Sequence, residues 1–224
     1  RVLFRSFLVA EEFEGGRAVV NTGYYYELID RSGKIFTDGE FEFDFVRGTV
    51  DGFTEVEKDH KYNFIDPKGK LHLKKWYDYV FPYIEELRCV CEGKKRGYLN
   101  HKGEIAIPII YDKASSFSEG LADVEKDGKF GFINKKGEIV VEPQYDQVYN
   151  FYEGLAGVRK NGKWGFIERK SGEIVIEPQF DKVWGFKDGL APVKKNGKFG
   201  FINRKGEIAI EPELDDIQYF KSFY

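Results

Sequence analysis

The 224-residue chain carries 35 Lys and Arg residues against 38 Asp and Glu residues, which gives a formal net charge of −3. A protein that binds nucleic acid mainly by neutralising phosphates needs a strongly positive surface, so the composition argues against that class. The 21 Phe and 14 Tyr residues favour the pleated, half-buried surfaces of strands. No run of about 18 apolar residues occurs, so the sequence predicts no membrane-spanning helix.

The chain opens on Arg1 and contains no Met, which indicates a segment of a longer protein whose targeting signals can lie elsewhere. Its two cysteines, Cys89 and Cys91, lie two positions apart on one predicted strand, near the upper distance limit for a disulfide. We therefore expect free thiols, which favour a cytoplasmic location over an oxidising one.

Six units of about 34 residues follow one another along the chain, and such a period is typical of solenoids, propellers and arrays. The fifth unit is one residue longer because Ser171 extends a turn. Two sets of equivalent positions define the period: Val20, Val56, Val90, Val124, Val158 and Val193, and Asp44, Asp78, Asp112, Asp146, Asp181 and Asp215.

Turn signals divide each unit into short strands. In unit four, Asp127-Gly128 supplies a two-residue hairpin turn between Leu121–Lys126 and Lys129–Asn134. A third strand is predicted over 138–141, where Pro143 should end the ladder because proline has no donor. A fourth extended piece over 145–151 then leads to the next unit. Each unit is too small to be stable alone, so neighbours must share their apolar faces.

Three segments carry a family resemblance: GKFGFINKKGEIVVEPQYD, GKWGFIERKSGEIVIEPQFD and GKFGFINRKGEIAIEPELD, each preceded by EGLA or DGLA. They resemble the WG (KWG) repeats of many bacterial proteins. The pattern fades toward the N-terminus, where Glu27 and Asn63 replace the glycine of the later units. The resemblance implies a β-repeat scaffold used for binding, and it implies no catalytic residues.

The expected fold is an all-β, open, solenoid-like or superhelical array, with a β-propeller as the alternative, although 34 residues is short for a four-stranded blade. We interpret residues 1–224 as a single domain. Residues 1–13 would form an N-terminal cap or partial repeat, 14–116 three degenerate repeats, 117–217 three regular repeats, and 218–224 the start of a further repeat or a tail.

Within a strand, Trp164 and Phe166 should face one side, while Gly165 allows another backbone or ring to approach closely. We interpret these residues as structural. The recurring Asp residues (Asp44, Asp78, Asp112, Asp146, Asp181 and Asp215) should accept backbone hydrogen bonds at bends; the alternative is a row of carboxylates that holds a cation.

No catalytic motif is present, and we expect neither an enzyme nor a cofactor or metal site. Cys89 or Cys91 with His101 is the one conceivable pair of nucleophile and base. Surface thiols and a histidine in an exposed turn explain these residues more simply, because a triad needs a third group and a protected cleft.

Departures from the repeat are the better candidates for function. Aromatic residues crowd around Trp76, Tyr77, Tyr79 and Tyr83, and Tyr24 and Tyr25 belong to a second cluster. Two explanations stay open: degenerate units that cap the array, or a patch that binds a partner. The favoured function is a non-catalytic protein-interaction scaffold whose partner is another protein. The alternative is a module that binds carbohydrate or the cell envelope through exposed rings; nucleic acid is disfavoured by the charge.

Overall fold

The computed structural model of the chain describes residues 9–217, apart from positions 11, 15, 22, 38–41 and 51. These residues form 22 β-strands in six antiparallel sheets and, within these ranges, no helix. The all-β repeat array expected from the sequence is therefore confirmed. None of the described segments is a helix that could cross a membrane.

The first two sheets have three strands each. They comprise β1 (Val9–Ala10), β2 (Arg17–Asn21) and β3 (Tyr26–Asp30), followed by β4 (Phe45–Val50), β5 (Phe53–Lys58) and β6 (Lys61–Ile65).

The next four sheets have four strands each, in sequence order. They comprise β7 (Tyr79–Ile84), β8 (Leu87–Glu92), β9 (Lys95–Leu99) and β10 (Ile105–Tyr111); β11 (Lys113–Ala114), β12 (Leu121–Lys126), β13 (Lys129–Asn134) and β14 (Ile139–Tyr145); β15 (Gln147–Val148), β16 (Leu155–Lys160), β17 (Lys163–Glu168) and β18 (Ile174–Phe180); and β19 (Lys182–Val183), β20 (Leu190–Lys195), β21 (Lys198–Asn203) and β22 (Ile208–Leu214).

The last strand of each regular unit runs through its proline, so the prediction that Pro143 ends the ladder was wrong. β14 continues to Tyr145, with a bulge between the pairs Phe132↔Val141 and Phe130↔Tyr145. Because β14 is an edge strand, the missing N–H of the proline costs the sheet little. The extended piece predicted over 145–151 is also shorter: only Gln147–Val148 forms a strand, and it pairs with the hairpin of the following unit.

A glycine makes the bulge possible. A Cβ added to Gly131 would lie 2.7 Å from the backbone nitrogen of Pro143 and closer still to the carbonyl oxygen of Val141. Gly165 faces Pro178 in the same way. No larger side chain fits there without moving the backbone, which is the physical reason for the recurring glycine in the WG pattern.

Units one and two lack this glycine, and their last segment forms isolated bridges instead of a strand. The buried side chain of Asn63, at the glycine position, takes over part of the ladder. Its amide nitrogen donates to the carbonyl oxygens of Leu73 and Lys75 at 3.2 and 3.3 Å, and its amide oxygen accepts from the Leu73 N–H at 3.0 Å. The side chain thus satisfies backbone groups that another strand would otherwise bond.

Each sheet is covered by the next unit. Val141 and Ile176 are both 4% exposed, and a Cβ on the turn glycine Gly172 of unit five would lie 2.8 Å from Val141. At the same position of the last sheet, Ile210 is 46% exposed. No strand of the first sheet pairs with one of the last in the part of the chain that the structure describes. The array is open and solenoid-like.

The recurring Asp residues join the hairpins of successive units. Asp112 accepts a hydrogen bond from the Lys95 ammonium of unit three at 2.6 Å and another from the backbone N–H of Asp127 in unit four at 3.1 Å. Equivalent lysine contacts follow the array: Lys61 with Asp78, Lys129 with Asp146, Lys163 with Asp181, and Lys198 with Asp215.

A second set of polar contacts joins the turns that precede the hairpins. Glu119 accepts the backbone N–H of Gly154 at 2.9 Å, and Arg169 donates to the carbonyl oxygen of Glu119 at 2.9 Å. Glu153 and Arg204 repeat the arrangement one unit further on. Each glutamate carboxylate also lies close to the arginine, Glu119 at 3.7 Å from Arg169 and Glu153 at 3.6 Å from Arg204.

Gly165→Ala should destabilise the array by about 2 kcal/mol, because the added methyl group collides with the bulged backbone of β18. Gly48→Ala is the matched control, since its Cβ would meet only Glu14 Oε2, at 3.6 Å. Urea unfolding followed by circular dichroism measures both changes. Equal midpoints for the two variants would contradict the steric account.

Asp181→Asn should lower the melting temperature at pH 7 more than Asp215→Asn does. Asp215→Asn also removes an ion pair, but the Asp215 side chain is 90% exposed. The hydrogen bond from Lys163, followed by that from the Gly197 amide, holds the pKa of Asp181 below its ordinary value of 3.8. The stabilisation is therefore complete above that value and lost as the pH falls through the lower folded-state pKa. Between pH 7 and 3, the melting temperature should fall less for Asp181→Asn than for the unchanged chain. Equal falls in melting temperature would refute the stabilising role of this contact.

Candidate functional site

A row of exposed and half-buried rings lies at the hairpin end of the second and third sheets. Within the second sheet, Phe45 on β4, Glu57 on β5 and Tyr62 on β6 are cross-strand neighbours. Side chains directly opposite one another share a face of the sheet, so these three lie side by side. The row continues into the third sheet with Tyr79, the first residue of β7.

Ring contacts join the row across the boundary between units. The ring centres of Tyr62 and Tyr79 are 5.5 Å apart, and those of Tyr79 and Phe81 are 4.7 Å apart. Both contacts are edge-to-face, the arrangement that aromatic pairs favour. We call Phe45, Tyr62, Tyr79 and Phe81 the aromatic stripe.

Two arginines flank the aromatic stripe. The guanidinium of Arg47 lies 5.6 Å from the centre of the Tyr62 ring, and that of Arg96 lies 5.4 Å from the centre of the Phe81 ring. Cations at this distance over a ring are attracted by its electron-rich face. Phe45 remains 51% exposed and Tyr79 remains 42% exposed, so the stripe offers apolar area to a partner.

At the position of Tyr79, the later units carry lysine or glutamine instead of a ring. Lys113 occupies the position of Tyr79 one unit on, and its ammonium lies 5.4 Å from the Phe130 ring. Lys182 follows two units later, beside the ring of Trp184. The same edge therefore carries rings in its first part and Lys113, Gln147 and Lys182 in its later part, and the Lys113 ammonium is paired with Glu125 at 2.6 Å.

The structure separates the aromatic residues that the sequence grouped. Tyr79 lies in the stripe, whereas Tyr77 is only 3% exposed and belongs to the core. Trp76 is half-buried against the core of units one and two, and Tyr83 stacks on His101 at 4.3 Å. Tyr24 is 94% exposed and Tyr25 is half-buried, and both precede β3.

Phe45, Tyr62 and Phe81 are not among the candidate residues predicted from the sequence. A usable signal existed, since Phe45 and Tyr79 each follow the recurring Asp directly, while the regular units place Lys113, Gln147 and Lys182 there. Of the residues interpreted as structural, Trp164 is 5% exposed, Phe166 is 1% exposed, and Gly165 is buried between them.

The cysteines do not form a reactive site in the described part of the chain. Burial raises the pKa of Cys89 to about 12, so this thiol stays protonated at neutral pH. Burial also raises the pKa of Cys91. The prediction of surface thiols was wrong for Cys89, which is 2% exposed because both faces of β8 are covered. Among the described residues, no group of three His, Cys, Asp or Glu side chains could hold a metal ion.

A family profile for the WG-containing repeat matches residues 97–130, 130–164, 164–199 and 199–222, which is more than half of the chain. The chain belongs to the WG-repeat family. The matched residues begin in unit three, and the array described above extends the same architecture into units that the profile does not match. A search among curated protein sequences found no match.

Several solved structures are similar at low identity. Hsv2 of Kluyveromyces lactis is 12% identical, with a TM-score of 0.44 over 86% of this chain and 73% of that chain. A eukaryotic initiation factor is 12% identical, with a TM-score of 0.49 over 95% and 67%. The extracellular domain of a two-component system from B. thetaiotaomicron is 12% identical, with a TM-score of 0.41 over 87% and 33%. At these scores we infer no function from them.

Thiol reactivity should distinguish the two cysteines. With a disulfide reagent at pH 8, Cys91→Ser should leave Cys89 unlabelled until the protein unfolds, because only the thiolate reacts. Cys89→Ser should label partly in the native state, since Cys91 is half-buried. Rapid native labelling of Cys89 would contradict its burial in the core.

Proposed function

We propose that this WG-repeat chain is a non-catalytic protein-interaction scaffold that binds a partner protein through the aromatic stripe. The exposure of Phe45 and Tyr79 in one row with Tyr62 is the observation that carries the proposal. Aromatic and arginine side chains dominate the energetics of protein interfaces, and the stripe combines both.

Packing requirements alone do not account for the stripe. The regular units place Lys, Gln or Lys at the position of Tyr79, so the fold needs no ring there. Capping of a terminal unit also fails as an explanation, because the Tyr62–Tyr79 contact lies between the second and third of six sheets. The fold therefore does not require the exposed ring of Tyr79, whereas Tyr62 and Phe81 also pack against the core.

The orientation of the rings favours a protein over a carbohydrate. Sugars stack on flat, accessible ring faces, whereas the planes of Tyr62 and Phe81 are inclined to that of Tyr79 by 65° and 69°. Such edge-to-face rings present an uneven apolar surface that suits side chains of a partner protein. Binding to cell-envelope glycan is the alternative outcome of the test below.

Charge disfavours nucleic acid as the partner. Lys135 lies 3.5 Å from Glu85, Arg169 lies 3.7 Å from Glu119, and Arg204 lies 3.6 Å from Glu153. These pairs leave little positive surface at that end of the sheets to neutralise phosphates.

A Phe45→Ala, Tyr79→Ala double variant should weaken partner binding by at least about tenfold, as expected for the loss of two interface anchors. Tyr152→Ala is the matched control, because Tyr152 is 39% exposed but lies outside the stripe. Quantitative mass spectrometry of proteins that co-purify with the three immobilised chains would measure the effect.

The expected result is a set of proteins retained by the unchanged chain and by Tyr152→Ala but lost from the double variant. Equal retention by all three chains would refute the stripe as the binding surface. Specific, stripe-dependent co-sedimentation with cell-wall polysaccharide and no stripe-dependent protein would replace the proposal with the glycan alternative.

A further inference from the structure

A second group of residues that depart from the repeat lies between units two, three and four. The residues concerned stand where the regular units have small or apolar residues, a glycine, or a long cation. The residues, each with its equivalent in unit four, are His72 (Val140), Tyr83 (Phe117), Glu86 (Gly120), Arg88 (Ala122) and His101 (Lys135).

Arg88 separates two rings that touch in the other units. Phe132 and Phe151 pack directly, with their centres 4.8 Å apart. In the equivalent place, the Arg88 guanidinium lies 3.6 Å from the centre of the Phe64 ring and 4.0 Å from that of Tyr83. Arg88 is 5% exposed, where other units bury an alanine or threonine. Tyr83 is half-buried, whereas Phe117 and Phe151 at the same position of the next two units are buried.

Tyr83 in turn holds His101. Their ring centres are 4.3 Å apart and the planes are inclined by 24°, which is a stacked arrangement. The Tyr83 hydroxyl donates to the carbonyl oxygen of Asn100 at 2.9 Å. A continuous stack thus runs from the core ring of Phe64 to the exposed imidazole.

The stack ends at a cleft of about 310 Å³ between the turns of units three and four. This volume is at the lower end of the range for small-molecule sites. Leu87 provides an apolar side to the cleft. The lining residues are Glu86, Leu87, Asn100, His101, Lys102 and Lys135.

The backbone is strained at the rim of this cleft. Glu86 has φ 77°, whereas five other units place a glycine at this position with φ between 76° and 85°. A left-handed conformation costs a non-glycine residue about 1–2 kcal/mol, and strain of this kind clusters at binding sites. The Glu86 carboxylate lies 3.7 Å from the Lys135 ammonium across the cleft.

We propose that this cleft binds a small aromatic carboxylate, with the ligand ring against His101 and Leu87 and its carboxylate held by Lys102. The imidazole fixed by Tyr83 supplies a flat surface for stacking, and the Lys102 ammonium supplies the charge, because Lys135 is already paired with Glu85 and Glu86. Among the residues that the structure describes, the Lys102 side chain forms no ion pair. Arg88 is a positioning residue, because it acts through Tyr83.

The site is separate from the aromatic stripe, so an experiment that refutes one of the two proposals leaves the other unaffected. Benzoate and indole-3-carboxylate are suitable probes. Acetate, which lacks the ring, and benzyl alcohol, which lacks the charge, are the controls. Titration of the ¹⁵N-labelled full chain to about 10 mM probe covers the millimolar affinities of such small ligands.

Benzoate should give saturable amide shifts at Leu87, His101 and Lys102, and both controls should give much smaller ones. His101→Ala and Lys102→Gln should each weaken binding at least about fivefold. Lys136→Gln, at the position of Lys102 one unit on, should bind as the unchanged chain does. Both exposed positions lie in a turn, and the dispersion of the spectra reports whether each variant is folded.

Absence of saturable shifts, equal saturation by acetate, or unchanged binding by folded His101→Ala would overturn the proposal. Shifts confined to Phe45, Tyr62 and Tyr79 would also overturn it, because they would place the ligand on the aromatic stripe. Arg88→Ala combined with Tyr83→Phe restores the regular residues and should weaken benzoate binding without loss of the fold; undiminished binding would refute the positioning role of Arg88.

Discussion

Every sheet of this chain depends on its neighbour to bury its apolar face. A sheet of three or four short strands is not stable alone, and the buried Val141 and Ile176 are covered only because the next unit follows. The Asp and Glu contacts between units fix the relative position of successive hairpins and turns. Where no described unit follows, Ile210 is exposed. Stability is therefore a sum over interfaces between units, and residues outside those interfaces are free to vary.

The period, the hairpin turns and the all-β class could be predicted because short stretches of sequence specify each of them. Asp127-Gly128 specifies a hairpin, and φ is positive at both residues. The strand through Pro143 could not be predicted, because a proline's effect depends on whether its strand lies at a sheet edge. The role of Asn63 also required the structure, since its bonds reach Leu73 and Lys75, 10 and 12 residues away.

The candidate site was predicted only in part. Density of aromatic residues pointed to Trp76 and Tyr77, yet the chain bends at Asp78, and this bend breaks the alternation that would place Tyr77 and Tyr79 on one face. Tyr77 is buried and Tyr79 is exposed. Phe45 and Tyr62 join Tyr79 from other strands, and the sequence indicates this meeting only through the equivalent positions of Phe45 and Tyr79 directly after the recurring Asp. In both proposed sites the candidate residues include departures from the repeat, of which Phe45 and Tyr79 are exposed and Arg88 is buried, whereas Tyr62 keeps the aromatic position of the repeat.

Native-state hydrogen exchange tests the mutual covering of units most directly. The segments Ile139–Tyr145, Ile174–Phe180 and Ile208–Leu214 are the same strand in three successive units, and they differ in whether a described unit covers them. Local opening is easier where fewer apolar contacts hold a strand. The account predicts slow exchange in the first two segments and markedly faster exchange in the third. Exchange in Ile208–Leu214 as slow as in Ile174–Phe180 would show that the last sheet is covered in solution and would contradict an open array.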